Sequence, residues 1–454
     1  MKTVDVGAAL DEGQWGGLQK LLVFATALTI ILDGLDNQLL PPAIPVLMKE
    51  WGQPRAAFGY VLTSGMVGMM LGGFIGGAVG DRLGRRVALL GSVIFFGLLT
   101  ILVSFSTGVG MMMVLRFLSG LGLGGAMPNA AALSSEYVPR RQRPFAVTLT
   151  IVCIPLGGSL AGIVGGLVLP TLGWRALFLI GGIVPLVLGG VLLKILPESP
   201  RYLARMKERW PELRALMGRL GHAVPADAVF FDGREKAVAK ASVAQLLVPE
   251  FRRDTLALCG SFFFCLLSVY MGTNWVPQML TRGGFDVGTA SWGLTAFNFG
   301  GVAGAIIGAL VIMRVGSRVS MLTMAAGAVA GAIVMSVMSI SPQASVLVFV
   351  MLAWTGGLIN AVQTTMYALA AHVYPTPIRG TGVGTAVAFG RIGGVISPTL
   401  GVWALDTGGS ARYFGIIAGT MTLALAALAA VGRHVPGASE VRTAQELRSL
   451  KSEV

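Results

Sequence analysis

Gly76-Gly77-Ala78-Val79-Gly80-Asp81-Arg82-Leu83-Gly84-Arg85-Arg86 closes one long apolar run and opens another. The runs on either side, 58–80 and 87–106, are each about the 20 residues that an α-helix needs to cross a hydrocarbon layer about 30 Å thick. A knot of charge between two such runs is a tight loop at the membrane edge. Glycines on the incoming helix let it lie close against a neighbour, and Asp81 is placed to cap the next helix or to pair with a basic group. The pattern is not unique in the chain. Gly76, Arg82, Gly84 and Arg86 return 232 positions later as Gly308, Arg314, Gly316 and Arg318. Gly120, Pro139, Arg143, Gly157 and Gly158 return 236 positions later as Gly356, Pro375, Arg379, Gly393 and Gly394. A nearly constant offset over four segments predicts two parallel repeats related by an axis along the membrane normal.

Working outward, twelve apolar spans are predicted at 18–42, 58–80, 87–106, 111–135, 144–169, 174–196, 254–280, 289–313, 317–340, 344–372, 380–404 and 410–432. The fold class is all-α integral membrane, with twelve transmembrane helices in two six-helix pseudo-symmetric bundles. The bundles are 1–196 and 254–434, joined by a loop at 197–253 and followed by a tail at 435–454. Of the 454 residues 54% are hydrophobic and 12% charged, about half the charged share of a soluble domain. Residues 1–17 are polar, and the first apolar run is long enough to span, so no cleaved signal peptide is expected. Within 197–253 the stretch from Arg201 to Leu220 is amphipathic. It suits either a helix on the membrane surface or a solvated linker.

A net charge of +13 raises the question of nucleic acid, and the placement of the charge answers it. With both termini in the cytoplasm, 27 of the 34 Lys and Arg fall on the inner side, against Lys49, Arg55, Arg175, Arg282 and Arg412 outside. That is the positive-inside rule, and no nucleic-acid partner is expected. The two remaining cations, Arg116 and Arg391, lie within spans. Cys153, Cys259 and Cys265 also lie in spans, and His222, His372 and His434 are scattered, so neither a metal site nor a cofactor is expected.

The 76–86 loop resembles the signature loop of the major facilitator superfamily. Its second copy departs from the pattern, with Met313 in place of the acid and Ser317 in place of an arginine, so any ionic latch should be asymmetric. Arg116 with Gly120, Gly122, Gly124 and Gly125, and Pro197-Glu198-Ser199-Pro200-Arg201, are similar to segments of sugar porters and of aromatic acid:proton symporters. The pair in Asp33-Gly34-Leu35-Asp36, and Tyr270-Met271-Gly272-Thr273-Asn274-Trp275-Val276-Pro277, resemble the aromatic acid family. That resemblance implies a transporter rather than an enzyme, in a bacterial cytoplasmic membrane.

An ionisable group inside a span costs several kcal/mol unless it is paired or hydrated. At about 1.5 Å per residue, Asp36 lies roughly 27 Å from the inner end of its span and Arg116 roughly 22 Å from the same surface. The two are expected to face one another, with Asp33 one turn away. Arginine stays charged, so its distance governs the carboxylate's proton affinity, and Asp33, Asp36 and Arg116 are the candidate proton-coupling residues. The rival reading is a permanent salt bridge.

Arg391 falls about 18 Å into its span, near the midplane where such carriers bind substrate. It is the candidate partner for a substrate carboxylate, the rival being an internal partner from span 1. Tyr270, Asn274, Trp275, Phe297, Asn298, Gln363, Tyr367 and Phe389 are candidate lining residues. Asp81, Arg82, Arg86, Glu136, Arg143 and Arg379 are candidates for a cytoplasmic gate, with Glu136 expected to pair with Arg82 or Arg86. The function expected is uptake of a small aromatic carboxylate together with a proton, by a lipid-embedded monomer. Alternatives are a proton symporter of sugars or of aliphatic acids such as muconate, and a transporter-like sensor.

Overall fold

A computed structural model of the chain describes residues 3–222, 224–225, 228–233, 242–375 and 378–437. Residues 438–454 of the tail, with Arg442, Arg448 and Lys451, and Lys2, Arg234, Lys236 and Lys240 lie outside the described residues. The chain divides into two compact units, Met1–Ala239 and Lys240–Val454.

In the first unit the spanning helices are α2 (Gly17–Asn37), α3 (Leu40–Trp51), α4 (Arg55–Leu83), α5 (Arg85–Val103), α6 (Val109–Tyr137) and α7 (Arg143–Ile195), preceded by a short α1 (Val6–Glu12). The second unit holds α10 (Pro249–Arg282), α11 (Val287–Val315), α12 (Ser317–Val337), α13 (Ser345–Val373) and α14 (Arg379–Ala430). Among the described residues ten helical stretches are long and apolar enough to span, with α2 and α3 counted together. Two of the ten are broken midway. Gly173 (φ 74°, ψ 179°) interrupts α7 and Gly409 (φ 59°, ψ −151°) interrupts α14. Positive φ is open to glycine at little cost, so each long helix is two spans, and twelve result. The two breaks stand at the same 236-residue offset as the motifs.

Span 1 differs from expectation: it runs on as α3 after a break at Gln38 and Leu39. Pro41 and Pro42 have no N–H for the carbonyls one turn back, which ends α2 there and leaves backbone oxygens for other donors.

The helices are held by glycine contacts that recur in register. A Cβ on Gly68 or Gly72 of α4 would strike the carbonyls of Phe117 or Leu121 on α6. In the second unit Gly300 and Gly304 meet the carbonyls of Ala353 and Gly357 in the same way. The α2–α7 crossing, where Gly157 abuts the Ile31 carbonyl, is repeated by Gly393 against that of Phe263. Without a hydrophobic drive between helices in lipid, such close backbone approach is the main source of packing. Gly72→Ala is therefore expected to destabilise the solubilised protein by about 1–3 kcal/mol. Gly77→Ala, with nothing within 4 Å of its added carbon, is expected to be neutral; thermal unfolding of the two variants checks the contrast.

The segment after Ile195 is part of the first unit. Its helices α8 (Pro200–Arg205) and α9 (Trp210–Arg219) bury Leu203, Leu213, Leu216 and Met217 against Val6, Leu10 and Leu196. Strand β1 (Thr3–Asp5) pairs in parallel with β2 (Val229–Phe231). The amphipathic stretch thus turns its apolar face onto the bundle and the N-terminal segment, in place of a membrane surface or solvent.

Candidate functional site

Three groupings of polar residues stand out, two in the first unit and one in the second. The first is at the end of α2. Asp36 is fully buried and Arg116 on α6 is 4% exposed. Arg116 Nη1 lies 3.5 Å from Asp36 Oδ2. The guanidinium also donates to the backbone oxygens of Asp36, at 3.4 Å, and Asn37, at 3.5 Å. It therefore does two jobs, neutralising the carboxylate and capping carbonyls at the span-1 break, the negative end of the α2 dipole. Asp36 Oδ1 accepts from the hydroxyl of Thr100 on α5 at 2.5 Å. Asp33, also buried, is on the same helix one turn earlier. Gly34 between the acids allows α7 to approach, because a Cβ there would strike the Ile154 carbonyl.

The second grouping is at the end of the first unit that carries the 76–86 loop. Gly84 (φ 106°) reverses the chain between α4 and α5, and a side chain on it would strike Glu198. Glu198, 1% exposed, accepts from the Arg86 backbone N–H at 3.0 Å and so caps α5. Asp81 pairs with Arg85 at 2.5 Å, and Glu136 lies 3.8 Å from Arg85 and accepts from Ser199. The expected partners of Glu136, Arg82 and Arg86, are corrected to Arg85. Arg82 is on the exposed face of the last turn of α4, and Arg86 points its guanidinium at the Leu193 carbonyl, 2.6 Å away. Arg143 donates to the Ser135 carbonyl at 3.0 Å and pairs with Asp11, which also pairs with Arg201 at 3.3 Å.

In the second unit Arg379 donates to the Tyr374 carbonyl at 3.3 Å, as Arg143 does to Ser135. Ser317, where the first copy has Arg85, accepts from the Val435 N–H at 2.8 Å and bonds His434 Nδ1 at 3.1 Å. Burial, with Arg318 next, holds the His434 imidazole below the ordinary histidine range. Where the first loop pairs Arg85 with acids, Ser317 bonds His434 and a backbone N–H, and the neighbouring Arg433 pairs with Glu250 at 3.2 Å.

The third grouping gathers four of the expected binding residues. Gln363, Arg391 and Tyr270 stand close enough to the Tyr367 hydroxyl to act on it electrostatically. The Tyr367 ring packs edge-on to Phe262 at 5.3 Å. Gln363 and Tyr367 are one turn apart on α13, so they share a face.

Other expected lining residues are used in packing. Trp275 is fully buried, donates its indole N–H to the Pro398 carbonyl at 3.1 Å and abuts Gly401. Phe297 is fully buried against Gly272 and Gly356. Asn274 donates to Ser397 at 3.4 Å, and Asn298 to the Leu294 carbonyl on its own helix at 3.1 Å. Phe389 is 48% exposed and stands about 200° around α14 from Arg391, on the opposite face. Four residues escaped sequence reasoning: Thr100, Asp11, Arg85 and Glu198. For Thr100 a signal did exist, because it lies roughly 22 Å along α5 from Arg85, the depth assigned to Arg116.

The profile described as Major Facilitator Superfamily matches residues 26–355 and 257–453. The chain belongs to the major facilitator superfamily. This facilitator is 33% identical over 440 residues to the 4-hydroxybenzoate transporter PcaK of Pseudomonas putida, covering 96% of each chain. It is 33% identical to the gallate transporter of the same organism, covering 89% of this chain and 90% of that one. The benzoate transport protein of Acinetobacter baylyi is 32% identical over 89% of this chain and 87% of its own. In structure, the facilitator resembles the inward-open form of the xylose transporter XylE from E. coli. The TM-score is 0.73 at 17% identity, over 92% of this chain and 97% of XylE. That likeness shows the fold.

Proposed function

We propose that this facilitator imports a small aromatic carboxylate together with a proton, across the bacterial cytoplasmic membrane with both termini inside, by alternating access as a monomer. The observation that carries the substrate class is the identity of about a third, over nine-tenths of the chain, with transporters of gallate, 4-hydroxybenzoate and benzoate. Arg391 suits the carboxylate, and the tyrosines with Gln363 suit the ring and its substituents. Asp36 and Arg116 suit the proton. The nearby arginine favours the charged carboxylate; once it is drawn away, burial favours the protonated form. The entering proton offsets the cost of moving an anion into a negative interior.

Uptake into proteoliposomes under an imposed pH gradient tests this, with benzoate, hydroxybenzoates, muconate and glucose compared side by side. Accumulation of the aromatic acids alone is expected; preference for muconate or glucose would replace the substrate class. In this reading Asp81, Arg82, Arg85, Arg86, Glu136 and Arg143 are the gate residues of the first unit, and Arg379 is that of the second. Glu136→Gln is expected to slow transport about five-fold, the equivalent of about 1 kcal/mol for one hydrogen-bonded charge, with KM nearly unchanged. A changed KM at normal rate would move Glu136 from the gate to the binding site.

A further inference from the structure

We propose that Thr100 is a positioning residue for the proton-coupling step, holding the Asp36 carboxyl in place in both of its protonation states. The inference rests on the reading of Asp36 as the proton site. The groups facing Asp36 are Arg116 from α6, Asp33 from its own helix and Thr100 from α5; α7 meets α2 here through Ile154 and Gly157. Arg116 only donates, and three of its four hydrogen bonds here go to backbone oxygens that no protonation alters. Most of its bonds are therefore made without the carboxyl, and it offers nothing to a carboxylic acid's proton.

Thr100 has what Arg116 lacks. Its hydroxyl donates to the carboxylate at 2.5 Å, and a hydroxyl also accepts. When the carboxyl carries the proton, Thr100 can accept from it and turn its own hydrogen to the carbonyl one turn back on α5. Thr26 and Thr150 make that one-turn bond elsewhere in the chain, to the Leu22 and Ala146 carbonyls. Thr100 and Asp36 are both fully buried.

The test is proton-driven uptake of 4-hydroxybenzoate into proteoliposomes as a function of external pH, for wild type, Thr100→Val, Thr100→Ala and Thr100→Ser, with Asp36→Asn beside them. The bond to the charged carboxylate is the stronger of the two, so losing both favours the protonated carboxyl, and the midpoint for Val and Ala is expected to move alkaline by about one pH unit. Serine, which keeps the hydroxyl, is expected to restore the wild-type midpoint. An unmoved midpoint in both Val and Ala, or a loss equal at every pH, overturns the positioning role. Full accumulation by Asp36→Asn would instead remove Asp36 as the proton site, so the two failures are distinguishable.

Discussion

Asp36→Asn is expected to reduce accumulation of the aromatic acid to equilibration, while exchange of internal for external substrate continues. With one proton per anion, a gradient of one pH unit supports about ten-fold accumulation, and that whole factor should vanish. Removing one partner of a buried ion pair usually costs about 3–5 kcal/mol, which would confuse lost coupling with lost folding. Here the site itself limits that risk. Arg116 keeps the backbone oxygens of residues 36 and 37, which the substitution leaves in place. The amide oxygen of asparagine can still accept from Thr100. A folded, exchanging and non-accumulating protein is thus the expected phenotype. Retained accumulation would return the pair to the role of a permanent salt bridge.

Arg391→Ala is expected to weaken carboxylate binding by about thirty-fold, or about 2 kcal/mol, the lower end of the usual cost of truncating a charged partner, because Arg391 is only partly buried. Arg391→Lys keeps charge but loses the planar fork, so intermediate affinity is expected. The comparison that isolates the effect is Phe389→Ala. Phe389 is two residues away on the same helix but on the opposite face, and its affinity should stay near wild type. Titration calorimetry with 4-hydroxybenzoate reads all three. Unchanged affinity in Arg391→Ala would give this arginine an internal structural partner and move the anion site elsewhere.

Span number and the meeting of Asp36 with Arg116 were legible in the sequence for the same reason: both follow from length along a helix of known rise. The break after Asn37 went unread although Pro41 and Pro42 follow it, and the continuation of span 1 to Trp51 left no signal, because a helix may resume after any turn. The choice of Arg85 over Arg82 and Arg86 depended on the direction in which Gly84 sends the chain, a dihedral that no composition encodes. Thr100 was obscured by chemistry shared with its kind. Hydroxyls on these helices mostly bond their own backbone, as Ser104 and Ser119 do, so one that reaches an acid looks like the rest. Trp275 and Phe297, expected among the lining residues, are packed against glycines here, because an aromatic residue near a midplane packs as readily as it lines. The pairing of residues 3–5 with 229–231 offered no repeat or charge pattern to read.

The matched glycine contacts also bear on ancestry. Gly68 and Gly72 on α4 and Gly300 and Gly304 on α11 keep not only their spacing but the positions of the carbonyls they touch. The charged positions inside the spans kept nothing. At the same offsets Asp33, Asp36 and Arg116 correspond to Cys265, Ser268 and Leu352, and Arg391 corresponds to Pro155. A doubled six-span ancestor whose copies retained their scaffold and then diverged in their buried charges accounts for both facts. Its lesson for protein engineering is that Ser268 occupies a position whose backbone setting already suits a buried acid in the sister copy.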